Sequence, residues 1–392
     1  MNTARYVEGK KGGSGKGMRI VIAGGGTGGH LFPGIAIAGA FRRKSAENRV
    51  LFVTTGRPIE SRVLSRTDFE TARIAAAGIK GKGIGGKLKA LVQVPAGILG
   101  SLALFLRFRP HVVIGLGGYS AAPVIIAAWI SGIFRVIHEQ NRIAGMTNRF
   151  LARYAHRIYV SFPDTDMGGY PEKIRAAGNP IRPEIAGQIT DRPRQSSPDA
   201  FTVLILGGSQ GAHCINTSVI EALEHLDASR GYRFIHQTGA ADIDTVRQAY
   251  EKFGIDARVD AFFDDMAACY ADADMIICRA GATSVAEVSA AGLPAIFIPY
   301  PYAADNHQYF NAKSLVDAGA GEMIDQAALD GTTLAARIGY YAANEPVRRR
   351  MREKIFAFSR PHAAEEMAED ICRALDMRKM GKKSGTTALT IH

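Results

Sequence analysis

Three glycine-rich segments lie where a strand would hand over to a helix: GGGTGGH at 24–30, LGGYS at 116–120 and GGSQG at 207–211. Turns of this kind present backbone N–H groups and a helix N-terminus to an anion, and glycine lets a phosphate approach closely. Thr27, Gly28 and Gly29 in the first, Gly117, Gly118 and Tyr119 in the second, and Ser209 in the third are therefore the first candidates for binding phosphate. His30 closes the first turn, and an imidazole titrating near about 6.5 can take a proton from a hydroxyl at neutral pH. The plainer alternative is a histidine that caps the turn or packs beside it. Gly24, Gly26 and Gly29 also satisfy the loose G-x-G-x-x-G spacing of a dinucleotide site. The ribose carboxylate that such a site needs is misplaced: Glu47 precedes the RVLFVTT strand instead of following it, which disfavours a nicotinamide-dependent oxidoreductase. A metal-dependent site would use an acidic pair. Asp164-Thr165-Asp166 spells D-x-D, but in a Pro/Gly-rich loop that reads as solvated.

The elements that must position these residues alternate. MRIVIAGG, RVLFVTT, HVVIGLGG, RVIHEQ and RIYVSF are short apolar runs separated by helical stretches. After a polar, Pro-rich connection at 183–200, FTVLILGG, YRFIHQTG, ARVDAFF, MIICR and PAIFIPY repeat the pattern. Alternating strands and helices imply parallel sheets covered on both faces, here as two Rossmann-like halves. A length of 392 residues, 47% hydrophobic and 22% charged, suits two domains of ordinary size. The expected division is a flexible tail over 1–17, domains over 18–181 and 182–350, a helix over 351–377 crossing back to the first, and a flexible tail over 378–392; by periodicity the last helix starts near Pro346. Cys214, Cys269, Cys278 and Cys372 show no ligand spacing and read as reduced thiols. The uncharged stretch Val112 to Phe134 is long enough to span a bilayer, yet its glycines and Pro123 favour strand, loop and helix, so no transmembrane helix is expected. A formal charge of +11 calls for anionic partners such as phosphates, acidic lipid or nucleic acid, and no nucleic-acid-binding signature accompanies it. Lys80, Lys82, Lys87 and Lys89 beside Leu88, Leu91, Val92, Ile98, Leu99 and Leu102 could dock on anionic lipid, or be a core helix after a solvated basic loop.

The order of longer motifs is specific. GGGTGGHLFPG (24–34), LGGYSAAP (116–123), HEQNRIAGMTNR (138–149), GNPIR (178–182), GGSQGAHCIN (207–216), FFDDMAACYADAD (262–274) and CRAGATSVAEVSAAGLPAIFIPYPYAADNHQYFNA (278–312) follow one another. Together they resemble the MurG family, the N-acetylglucosaminyltransferases that convert lipid I to lipid II, over nearly all of residues 18 to 375. The resemblance implies a GT-B architecture, two Rossmann-like parallel-sheet α/β domains facing across a cleft. It also implies inverting transfer from UDP-GlcNAc to the MurNAc C4 hydroxyl of an undecaprenyl-linked acceptor, with no metal and no cofactor. The enzyme would act peripherally at the cytoplasmic face of the inner membrane, with other cell-wall synthesis proteins as further candidate partners.

Such a transfer needs a base for the acceptor hydroxyl and a positive field for the departing diphosphate. His30 is the base candidate, with Glu139 as a secondary acid/base or a structural carboxylate and Asn141 as an orienting group. Gly117, Gly118 and Tyr119 would receive the acceptor's diphosphate. On the donor side, Ser209 and Arg182 would face the pyrophosphate, and Ala282, Thr283 and Ser284 open a helix. The resemblance gives Glu287 the ribose hydroxyls, the Phe263 main chain the uracil, and His307 and Gln308 the sugar. His307 departs from the family's pattern of two adjacent glutamines, and the loop before it is one residue longer. The remaining alternatives are a GT-B transferase acting on a lipid such as diacylglycerol and a non-catalytic nucleotide-sugar or membrane-binding module.

Overall fold

The computed structural model describes residues 17–25, 28–75, 84–186, 200–208, 211–227 and 230–387. In the first half, strands buried on both faces must be apolar at consecutive positions, and they are. Strand β1 (Arg19–Ala23) sends Ile20 and Ile22 into one core and Val21 and Ala23 into the other. β2 (Arg49–Thr54) divides Val50 and Phe52 from Leu51 and Val53 in the same way. With β3 (Glu70–Arg73), β4 (Val112–Gly115), β5 (Phe134–Glu139), β6 (Arg157–Val160) and β7 (Ile174–Ala176) they form an all-parallel sheet ordered β3-β2-β1-β4-β5-β6-β7. The uncharged stretch from Val112 resolves into β4, a glycine turn, the helix Gly118–Ile130 and the start of β5. Among the described residues no helix is long and apolar enough to cross a membrane.

The second half repeats the plan. β8 (Phe201–Leu206), β9 (Tyr232–Gln237), β10 (Asp256–Asp260), β11 (Met275–Cys278), β12 (Ala295–Phe297) and β13 (Glu322–Met323) make a parallel sheet ordered β10-β9-β8-β11-β12-β13. The chain thus comprises two compact units, the second containing residues 141–143 and 181–361. In each sheet the strand order reverses once, between β1 and β4 and between β8 and β11. The carboxyl ends of those central pairs are where open α/β sheets bind ligands.

Two expectations about the C-terminus are corrected. The last helical region is two helices, Glu345–Phe356 in the second unit and Ala363–Thr387 in the first. Pro361 separates them, because proline lacks an amide donor and disfavours helical backbone in the residue before it. The second of them continues past Arg378, where a flexible tail was expected, through Thr387. Its Ala364, Met367, Ala368, Ile371 and Leu375 recur at helical spacing and close the core formed by Ile37, Phe41 and Tyr159. Tyr159 donates to Asp370 at 2.7 Å across this seam, and its burial raises the phenol's pKa.

Candidate active site

The first glycine turn leaves β1 and enters the helix Gly28–Lys44, which places His30 in the opening turn of that helix. The second leaves the adjacent β4, where Gly117 and Gly118 both take left-handed backbone, at φ +90° and +71°. That conformation folds the second turn against the first. A Cβ on Gly118 would lie 3.1 Å from the Gly25 carbonyl oxygen, and one on Gly117 would lie 3.2 Å from His30 Nε2 and 3.1 Å from Asn148 Nδ2. Only glycine lets the backbone come so close to the imidazole. Tyr119 follows, half-exposed, with the Arg57 guanidinium 6.0 Å from its ring. Thr27 lies outside the described residues.

Glu139 ends β5 and is buried. Its Oε2 accepts hydrogen bonds from the Gly145 amide at 3.0 Å and from Asn148 Nδ2 at 2.9 Å, and Asn148 also donates to the His138 carbonyl at 3.0 Å. The carboxylate therefore holds the segment that carries Asn148 beside Gly117 and His30, the structural alternative raised for it above. His138, fully buried, contacts the Gly178 carbonyl at 3.1 Å through Nε2, and Gln140 Nε2 donates to the Leu116 carbonyl at 3.0 Å. Burial pushes the His138 pKa down to about 4, against a raising contribution from the Gly178 carbonyl and a further lowering one from His30. Motif reading missed Asn148, Gln140 and the role of His138; their place inside HEQNRIAGMTNR was the available signal. It also missed Glu60, the buried acidic residue after β2. Glu60 Oε2 accepts from the Thr55 and Arg57 amides at 3.0 and 2.9 Å, so this carboxylate caps its own helix where a dinucleotide site would use one for ribose.

In the second unit, the turn after β8 is equally dependent on glycine. Gly208 and Gly211 have φ +91° and +79°, and a Cβ on Gly211 would lie 2.1 Å from the Thr238 carbonyl oxygen. Ser209 lies outside the described residues. From the neighbouring β11 the chain passes through Arg279, Ala280 and Gly281 into the helix Ala282–Ala291, so Ala282, Thr283 and Ser284 form its first turn. Gly281, its N-cap, offers no side chain to these amides, and such a helix end favours an anion. Arg279 braces the approach, donating to the Ile298 and Pro299 carbonyls at 3.1 and 3.2 Å.

Arg182 and Glu287, expected to act on pyrophosphate and ribose respectively, meet each other. They form a two-pronged ion pair with both N–O distances 2.9 Å, and Tyr270 donates to Glu287 Oε2 at 3.1 Å. The pair's charge raises the Arg182 pKa against the opposing effect of burial. Phe263 is buried, and its amide donates to Gln237 Oε1 at 3.0 Å. Asn141 accepts from Asn311 at 3.2 Å, and Asn311 also donates to the Ala280 carbonyl at 3.1 Å. His307 and Gln308 are engaged locally: His307 Nδ1 lies 2.7 Å from the Ala304 carbonyl, and Gln308 Oε1 accepts from the Tyr300 amide at 3.0 Å. The preceding Asp305 and Asn306 both adopt left-handed backbone, a costly choice for non-glycine residues in the lengthened loop. The Asp164 and Asp166 carboxylates are exposed, and Asp166 accepts from the Gly168 amide at 2.7 Å. Among the described residues no group of three or more His, Cys, Asp or Glu side chains could hold a metal ion.

Two parallel-sheet Rossmann-like units, each with glycine turns and helix N-termini at its switch point, define a two-unit α/β architecture suited to phosphate-bearing ligands. Comparisons narrow the class. Residues 20–160 match the glycosyltransferase family 28 N-terminal domain and residues 202–367 its C-terminal domain. The UDP-N-acetylglucosamine–N-acetylmuramyl-(pentapeptide) pyrophosphoryl-undecaprenol N-acetylglucosamine transferase of Citrifermentans bemidjiense is 47% identical over 322 residues, 82% of this chain and 90% of that protein. The protein of the same description from Syntrophus aciditrophicus is 44% identical over 91% of this chain and 99% of its own length. The crystal structure of Acinetobacter baumannii MurG superposes with a TM-score of 0.73 at 29% identity, covering 91% of this chain and 99% of that one. A UDP-GlcNAc 2-epimerase from Neisseria meningitidis, solved with UDP-GlcNAc bound, shares the fold alone, with a TM-score of 0.63 at 12% identity over 91% and 99% of the two chains. The chain belongs to the MurG family of glycosyltransferases.

Proposed function

We propose that this protein transfers N-acetylglucosamine from UDP-GlcNAc to the C4 hydroxyl of the N-acetylmuramyl residue of undecaprenyl-pyrophosphoryl-MurNAc-pentapeptide, converting lipid I to lipid II for peptidoglycan synthesis. The observation that carries this reading is identity of 42–47% across most of the chain to transferases of that description, together with glycine turns at both switch points. In this reading the first unit receives the acceptor. Its diphosphate lies on Gly117, Gly118 and Tyr119, and His30 takes the proton as the hydroxyl attacks the anomeric carbon. Glu139 acts through Asn148 as a positioning group. The second unit holds the donor: the helix opening at Ala282, Thr283 and Ser284 and the turn containing Ser209 stabilise the charge that develops on the departing UDP. Glu287 meets the ribose, steadied by Arg182 and Tyr270, while Asn141, His307 and Gln308 lie toward the sugar.

A peripheral position on the cytoplasmic face of the inner membrane belongs to the same proposal. The side chains of Lys80, Lys82, Lys87, Leu88, Lys89, Leu91 and Val92 lie outside those described. Further along the same helix Leu99 and Leu106 are exposed, while Ile98 and Leu102 are partly buried. A second surface feature supports docking. Trp129, Ile130 and Phe150 are roughly half-exposed, Tyr154 packs 5.1 Å from the Trp129 ring, and the Arg153 guanidinium lies 5.0 Å from Phe150. Exposed aromatic and basic groups of this kind suit the boundary of an anionic bilayer.

The test is incubation with UDP-GlcNAc and a lipid I analogue, with and without EDTA, for the native protein and His30→Ala. Disaccharide-lipid product from the native protein in both conditions, lost by about 100-fold or more in His30→Ala, is the expected result. Transfer to diacylglycerol instead of the lipid I analogue would replace this acceptor with the alternative one. Full turnover by His30→Ala would remove the histidine from the role of base.

A further inference from the structure

Gln237, the last residue of β9, is buried, and its amide is used at both ends. Nε2 donates to the Gly208 carbonyl at 3.1 Å, and Oε1 accepts from the Phe263 amide at 3.0 Å. Gly208 belongs to the glycine turn after β8, and Phe263 to the segment after β10. Those two backbone stretches lie on either side of β9, because β9 is hydrogen-bonded to β8 on one edge and to β10 on the other. A side chain at the end of the middle strand is the natural place from which to reach both.

The polarity of each bond matters. The Gly208 carbonyl also accepts from the Gly211 amide at 3.1 Å within the turn, so Gln237 ties that turn's left-handed peptide plane to β9. Fixing the Phe263 amide sets the direction of the main chain there. No apolar side chain and no ionised carboxylate can do both: the carboxylate lacks the donor and a thioether lacks donor and acceptor strength alike. The Phe263 ring is itself fixed, buried with the Arg258 guanidinium 4.7 Å from its centroid.

We infer that Gln237 is a positioning residue that couples the phosphate-binding turn to the base-binding segment, so that the two ends of the nucleoside diphosphate are read as one unit. The inference rests on the proposal that the second unit binds UDP, with the turn after β8 at the diphosphate and, as the family resemblance implies, the Phe263 main chain at the uracil. Gln237 touches neither sugar nor reacting atoms in this role; it acts through the Gly208 and Phe263 backbones.

The test compares the native protein with Gln237→Met and Gln237→Glu, measuring Kd for UDP and for uridine by calorimetry, and kcat and KM for UDP-GlcNAc. Gln237→Met keeps the volume and removes both bonds without adding charge; Gln237→Glu, assayed across a pH series up to about 9 so that the carboxyl is ionised at the upper end, keeps an acceptor for the Phe263 amide and removes the donor to Gly208. The expected result for Gln237→Met is UDP and uridine both bound about 10-fold or more weaker, with KM raised to match and kcat within about 3-fold. In Gln237→Glu, uridine stays within about 3-fold of native while UDP weakens by about 10-fold or more. Both variants stay cooperatively folded at the assay temperature, with melting temperatures lowered by the lost buried hydrogen bonds but well above it. The inference is overturned if both variants bind UDP and uridine within about 2-fold of native. It is also overturned if each variant loses both ligands only in proportion to the fraction unfolded. Failure of the native protein to bind UDP or uridine would instead overturn the donor-site reading on which the inference stands.

Discussion

At the scale of single residues, this protein stakes stability on neutral histidines. His236 sits on β9 with Nε2 3.0 Å from Asn216 Oδ1 and Nδ1 3.1 Å from the Tyr250 hydroxyl, and burial pushes its pKa down to about 3, slightly opposed by Asp242. His138 is held down to about 4 by the same cause. In the unfolded chain each titrates near about 6.5. Between that pH and the folded value, the unfolded state binds more protons, so stability is present above about 6.5 and drains away as pH falls toward 4. Denaturant titrations at pH 7 and pH 5 will show the loss, about 2 kcal/mol for each such histidine. His236→Gln will show a shallower slope over that window by about one proton, and an unchanged slope would contradict neutral burial. Partnerships of this kind were largely illegible in the sequence. His30, Glu139, Arg182 and Glu287 stand out by type and motif, but the Arg182–Glu287 pair joins residues 105 positions apart. Which of two plausible ligand-binding groups would instead bind the other depends on the tertiary fold. Gln237 carries no motif at all; only the neighbours of β9 reveal what it holds.

At the scale of elements, sequence and structure agree best where the backbone itself is constrained. The turns after β4 and β8 and the central strands were readable because left-handed backbone in the former and two-sided burial in the latter leave few residue choices. The strands that escaped notice, β3, β7 and β13, all lie at sheet edges. Covered less fully, they lack a continuous apolar run; β3 reads ETAR, with only Ala72 buried. The turn after β4 offers a sharp test. In Gly117→Ala the new methyl meets His30 and Asn148 at 3.2 and 3.1 Å, in addition to the strain of φ +90°. Turnover should fall by about 10-fold or more, since small displacements of a reacting group are costly. Gly132→Ala supplies the control, because Gly132 also has positive φ (+63°) but no heavy atom within 4 Å of the added methyl. It should lose about 1 kcal/mol of stability and keep native turnover. Equal turnover in the two variants would show that the Gly117 contact is catalytically neutral.

At the scale of the whole molecule, the charge of +11 and the exposed aromatic groups make one prediction together. Sedimentation with vesicles containing anionic lipid should carry the protein down at low salt and progressively less as salt screens the surface charge. Replacing Trp129 and Phe150 together by Ala should lower the bound fraction about 10-fold or more, because each ring contributes apolar area at the boundary. Unaltered binding would remove this patch from the membrane-facing surface. The metal-free diphosphate site and the lipid acceptor remain properties of the proposed reaction, assayed directly with EDTA and the lipid I analogue.

The helix Ala363–Thr387 has a consequence for how the chain comes into being. Its Met367, Ile371 and Leu375 belong to the same apolar core as Ile20 and Ile22 of the first strand, so the first unit is assembled from segments that lie on either side of the second in the sequence. During synthesis the ribosome must deliver the whole second unit before the first can be sealed. Until then, the face around Ile37 and Phe41 stays uncovered, and transiently exposed hydrophobic surface of this kind is prone to aggregate. A genetic fragment ending near residue 181 would inherit that open face permanently.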